Sequence, residues 1–245
     1  MTSVPQASVL GSDPGLWDHV NHWLVLAPHP DDFEVAAVTM LHFAQSGASI
    51  TLAVLSGGAS GVEDNFVSGW EAKTAAREAE QRESCALFGL PAEKLRFHRL
   101  LEDSTGHMAD SVENQARVHS LLNAISPDGV ILPHGNDSNA DHRRTFRWFL
   151  AWCKTRELPP LALLVRDPKN LGMRVDLVMP YDAESAAWKA ALLRCHRSQH
   201  ERNLRSRGIG FDERILAPER AAATPLGFHA VESFECLTVQ TACNG

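Results

Sequence analysis

Short, uninterrupted apolar runs alternate with longer amphipathic stretches along most of this chain, and that alternation restricts the fold more than any other feature. The runs Trp23–Ala27, Ile50–Leu55, Leu95–His98, Gly129–Leu132 and Leu161–Val165 read as strands buried on both faces. The stretches between them, Phe33–Gln45, Glu71–Leu87, Asp110–Ile125 and His142–Lys154, read as helices. Such an order builds an α/β fold, a mostly parallel sheet with helices on both sides. A sixth strand, Val175–Met179, follows the fifth after only a short loop around Asp167–Gly172, too short for a parallel crossover, so an antiparallel hairpin extending the sheet is expected. A helix over Ala183–His196 comes next, and the charged stretch after Gln199 reads as a surface loop. Residues 1–20 read as an irregular lead-in, and nothing divides the 245 residues into more than one domain.

Composition excludes several functions. The net charge of −7 argues against binding nucleic acid by bulk electrostatics. No apolar run approaches the ~18 residues of a membrane span, and no signal-peptide core follows the polar start. The five cysteines are widely spaced with no CxxC pair, so neither a disulfide framework nor a thiolate metal site is expected. A cytoplasmic protein fits best, and a homo-oligomer stays open.

Two polar segments stand where a strand hands over to a helix, the place where open α/β sheets bind ligands. The first is His29-Pro30-Asp31-Asp32. A histidine and an aspartate on one loop can hold a divalent metal and leave a second aspartate to act on water. Either aspartate could instead cap the helix. The second segment runs from Pro133 to His142 and ends in Asp141-His142. His142 is the best third ligand, and Asp141 could fix an imidazole tautomer from behind.

With these residues in view, a family resemblance emerges. Pro28-His29-Pro30-Asp31-Asp32-Phe33-Glu34 resembles the HPDDxE opening of the zinc-dependent deacetylases related to LmbE and PIG-L. The segment ending Asp141-His142 is similar to their second metal motif. Arg77-Glu78-Ala79-Glu80 is similar to their RxxE helix, and His196-Arg197-Ser198-Gln199 to their HxSQ segment. The resemblance implies a Rossmann-like three-layer sandwich. It implies Zn2+, or another divalent metal, on His29, Asp32 and His142, with Asp31 as general base. The implied reaction is hydrolysis of an N-acyl group, usually N-acetyl, from an amino sugar or sugar conjugate. The implied partner is therefore a small-molecule N-acyl amino sugar or glycoconjugate.

The sequence departs from that pattern in two places. Asn139 stands where many members carry a histidine, and a neutral amide can donate to an oxyanion but cannot shuttle a proton. Asp31 then serves twice, or His196 or His134 enters, or the chain is a degenerate metal-containing carbohydrate-binding or interaction module. The family's glycines after the first motif are also missing, with Ala36, Ala37 and Val38 in their place. Arg77 and Asp103 are candidate substrate contacts, although Arg77 and Glu80, three apart on a helix, could simply pair with each other. Leu55–Gly61 could cradle substrate through backbone amides, Glu34 could support the first loop, and Trp148, Phe149 and Trp152 read as core.

Overall fold

The computed structural model describes Leu10–Gly11, Gly15 and residues 17–237. The rest of the expected lead-in, and Cys243, lie outside the described residues. In chain order the elements are β1 (Leu10–Gly11), β2 (His22–Ala27), α1 (Ala37–Gln45), β3 (Ser49–Val54), α2 (Trp70–Phe88), β4 (Leu95–Phe97), α3 (Val112–Ile125), β5 (Gly129–Pro133), α4 (Ala140–Cys153), β6 (Leu161–Val165), β7 (Leu177–Tyr181), α5 (Ala183–Cys195), α6 (Arg197–Arg207), α7 (Phe211–Ala223) and β8 (Ala230–Leu237).

The strands form one sheet in the order β1-β7-β8-β6-β5-β2-β3-β4. From β6 to β4 all pairings are parallel, and β8, β7 and β1 join antiparallel. The expected α/β class with an antiparallel C-terminal extension is what forms. Side chains alternate across β2 as strand geometry requires. Trp23, Val25 and Ala27 enter a core shared with α1, α5 and α7. Leu24 and Leu26 enter a second core with α3 and α4, which also holds Trp148, Phe149 and Trp152. Gly129 is needed beside β2, because a Cβ there would come within 2.6 Å of the Trp23 ring.

Three expectations are corrected. The two strands flanking Asp167–Gly172 are not a hairpin, since β8 inserts between them and bonds antiparallel to both. The stretch after Gln199 is not a loop but carries α6 and α7. The expected helix from Phe33 begins as a 3-10 turn, Glu34–Ala36, before α1. Its N-terminus is closed from the far end of the chain: the Glu232 carboxylate on β8 accepts the Val38 and Thr39 amides at 2.9 and 2.8 Å. The topological switch falls between β2 and β5, which are neighbours although two strands separate them in sequence. Their carboxyl ends carry the two polar segments.

Candidate active site

The first segment is shaped by α2. Asp31 has φ of 107°, a conformation that L-residues rarely hold and that costs about 1–3 kcal/mol. Its amide donates to Gln81 Oε1 at 2.9 Å, and its carboxylate pairs with Arg77 at 3.1 Å. Arg77 also donates to the Pro30 carbonyl. Gln81 in turn donates to Glu34 Oε1 at 2.8 Å. Thus Arg77 and Gln81, four apart on one face of α2, fix the loop. Arg77 does not pair with Glu80, whose carboxylate instead accepts the Ser198 amide and hydroxyl, each at 2.7 Å.

His29, Asp32 and His142 converge, each with a donor atom within 4.8 Å of the other two. His29 Nδ1 lies 3.1 Å from Asp32 Oδ2, and His142 Nε2 lies 3.3 Å from Asp32 Oδ1. The opposite nitrogen of each ring meets a carboxylate: His29 Nε2 meets Asp141 at 3.0 Å, and His142 Nδ1 meets Asp137 at 3.0 Å. Those carboxylates fix the tautomer that turns each lone pair inward. Two imidazoles and a carboxylate at that spacing are a donor set suited to a divalent metal such as zinc.

Charge is balanced around this centre. Burial pulls His29 down, but its bonds to Asp141 and Asp32 outweigh that and hold it up, at about 9. Burial pushes Asp141 up, but His29 and then His107 outweigh it and bring it to about 2. Burial raises Asp32, yet the charges of His142 and Lys169 hold it well below the usual carboxylate range. Lys169 Nζ lies 3.3 Å from His142 Nε2 and 3.9 Å from Asp32.

His29 and Asp32 open onto a cleft of about 320 Å³, with His142 buried behind them. Asp31, Asn139 and Arg77 line it as well, so these sequence candidates share one space. Asn139 also caps α4, its Oδ1 accepting the Asp141 amide at 2.8 Å. Gly58 and Gly61 of the loop after β3 line the cleft too. Gly58 has φ of 62°, and a Cβ there would come within 3.2 Å of Arg77 Nε.

Other candidates stay apart. His196 is fully buried with Nε2 3.0 Å from Glu34, and it does not line the cleft. Its neighbour Gln199 does, donating to the Gly61 carbonyl at 3.0 Å. Asp103 lies outside the lining and binds the Thr105 amide and hydroxyl. His134 faces Glu235 at 3.3 Å. Glu34, fully buried, supports the first loop through Gln81 and Ser84.

Sequence reasoning missed His107, Lys169, Arg202 and Arg214, all of which line the cleft. His107 Nδ1 lies 2.9 Å from Asp141 Oδ2, beside the bond to His29. Lys169 follows β6, so asking what the next parallel strand brings to the same sheet edge would have found it.

A family model described as PIG-L, GlcNAc-PI de-N-acetylase, matches residues 24–153, more than half of the 245 residues. The chain belongs to this family. Several solved structures share the fold at low identity. An inhibitor-bound N,N'-diacetylchitobiose deacetylase from Pyrococcus horikoshii superposes with a TM-score of 0.76 at 19% identity, covering 93% of this chain and 87% of that one. The A40926 pseudoaglycone deacetylase Dbv21 gives 0.69 at 16%, covering 91% and 99%. GalB, a 4-carboxy-2-hydroxymuconate hydratase from Pseudomonas putida KT2440, also gives 0.69, at 17% identity and 89% and 96% coverage. No curated protein matches the sequence significantly. Among the described residues no helix is long and apolar enough to cross a membrane.

Proposed function

We propose that this PIG-L family chain is a metal-dependent N-deacetylase that hydrolyses an N-acyl, usually N-acetyl, group from an amino sugar or sugar conjugate. The observation that carries the reading is the convergence of His29, Asp32 and His142, with a carboxylate behind each imidazole and Asp31 beside them but bonded elsewhere. His29, Asp32 and His142 would hold the ion. A divalent metal in such a set supplies Lewis-acid polarisation of the amide carbonyl and eases the deprotonation of water at neutral pH.

The chain's own residues do the rest. Asp31, kept in place by Arg77 and the Gln81 bond, takes the proton of the attacking water. Water adds to the amide carbon, the C–N bond breaks, and the proton held by Asp31 passes to the departing amine. The products are a carboxylate and a free amine, and Asp31 returns to its starting state. Asn139, on the cleft wall, can donate its amide N–H to the developing oxyanion. Carboxylate anchoring of both rings resists proton loss, so the ion competes with protons and binds more weakly as pH falls.

Purified chain reconstituted with Zn2+ and offered a panel of N-acetylated amino sugars should release acetate, and His142→Ala should lose most of its metal by elemental analysis. Full metal occupancy in that variant, or no acetate from any N-acyl sugar, would reject the assignment. The second reading, a metal-containing carbohydrate-binding module, draws on Asn139 alone. It requires sugar binding with no turnover under the same conditions.

A further inference from the structure

We propose that the substrate carries an anionic substituent, a carboxylate or a phosphate, which Arg202 and Arg214 grip on the α6–α7 wall of the cleft. This rests on the deacetylase reading for the reaction itself, and adds what the substrate must carry.

The chain is acidic overall, at −7, yet this wall is basic. Of the four arginines on the same two helices that do not line the cleft, three are answered by carboxylates: Arg197 by Glu83, Arg205 by Glu63 and Arg220 by Glu213, with Arg207 the exception. The two that line the cleft are not. Arg202 donates only to the Gly61 carbonyl, at 3.3 Å. Arg214 reaches only Asn203 Oδ1, at 3.4 Å. Neither has a carboxylate within 4.0 Å among the described residues. Arg214 is half-buried, and burial draws its pKa down, with Asp167 the leading opposing charge.

The deeper charges are already matched. Asp31 is held by Arg77, and Lys169 lies 3.8 Å from Asp167 and 3.9 Å from Asp32. Among the described residues lining the cleft, Arg202 and Arg214 on the α6–α7 wall are the arginine and lysine side chains with no carboxylate within 4.0 Å. A neutral sugar seated there would strip water from two guanidiniums and return little. An oxyanion would meet planar forks of N–H donors suited to carboxylate or phosphate. The apolar side chains of Phe211 and Ile215 on the same wall lower the local dielectric and strengthen such a contact.

The test is calorimetric titration of zinc-loaded chain with N-acetylglucosamine, its 6-phosphate and its 6-carboxylate analogue, repeated on metal-stripped chain and at raised salt. Acetate release from the same three is measured in parallel. At least one anion should bind about tenfold or more tightly than the neutral sugar, with or without metal, and the gap should shrink with salt. Which anion gains distinguishes phosphate from carboxylate. Arg202→Gln/Arg214→Gln should close most of the gap, and Arg214→Lys should keep more of it than Arg214→Gln. Circular dichroism checks folding, and if the double variant does not fold, the single variants decide. Equal binding of all three by wild type overturns the proposal. So does a preference that persists in the glutamine variants, or one that vanishes without metal. Equal acetate release from neutral and anionic sugars also overturns it while leaving the deacetylase reading intact. Arginine-dependent anion binding with no acetate release upholds the grip and rejects the deacetylase.

Discussion

Asp31, the base of the proposed reaction, is held in an unfavourable backbone conformation by two side chains of α2. Asp31→Asn keeps the bonding shape but cannot accept the proton. It should retain metal, measured by elemental analysis, while turnover falls by ~10²-fold or more. Near-normal turnover would move the base elsewhere. Asn139 poses the complementary question, since it both faces the cleft and caps α4. Asn139→His should cost roughly 0.5–2 kcal/mol in denaturant unfolding, because the cap bond is lost. If an imidazolium at 139 then feeds the leaving amine, the pH–rate profile gains or shifts an alkaline limb. Superimposable profiles would mean that residue 139 has no part in proton transfer. His29, Asp31, Asp32, Asn139 and His142 were legible in the sequence because short loops at strand ends constrain where they can lie. His107 was not, because it sits in a loop without periodicity and is brought to Asp141 only by tertiary folding.

Among the elements, α6 shows why part of the fold was hidden. Its buried residues, Ser198, Gln199 and Asn203, are all polar, so it lacks the apolar stripe that marks a helix in sequence. It is anchored by hydrogen bonds, chiefly from Ser198 to the Glu80 carboxylate on α2. Glu80→Ala leaves those buried donors without an acceptor and should cost about 1–3 kcal/mol in chemical denaturation. Because α6 also carries Gln199 and Arg202 into the cleft, KM should rise more than kcat falls. An unchanged midpoint and unchanged KM would show that the contact does not position the helix. By contrast, the central parallel strands β2, β3, β5 and β6 were readable because burial on both faces leaves mostly apolar side chains. The strand β8 was not, since Glu232 and Glu235 interrupt it.

At the scale of the molecule, a buried charge cluster ties the halves together. Lys189 on α5 is fully buried and donates to Glu219 and Glu232, each at 2.7 Å, and to the Val35 carbonyl at 2.8 Å. Burial first, opposed by Lys189 and reinforced by Glu232, pushes Glu219 up to about 7. The folded chain therefore keeps a proton on Glu219 that the unfolded chain releases near 4.5. This group's contribution is full below pH ~4.5 and is lost as pH rises through about 7. In Glu219→Gln, the decline of stability between those values should flatten relative to wild type in urea titrations. An unaltered slope would show that Glu219 is ionised throughout.

The strand β8 also has a consequence for the order in which the molecule is made. It fills a gap between two strands synthesised before it, and its Glu232 caps the helix that follows the His29–Asp32 loop, 194 residues earlier. On a ribosome, both flanking strands emerge with open edges, which invite pairing with other chains. The helix behind the His29–Asp32 loop meanwhile waits without its cap. Assembly of the proposed centre is thus deferred until β8 has left the exit tunnel. A nascent polypeptide stalled before Ala230 would be a client for chaperones and a poor ligand for metal.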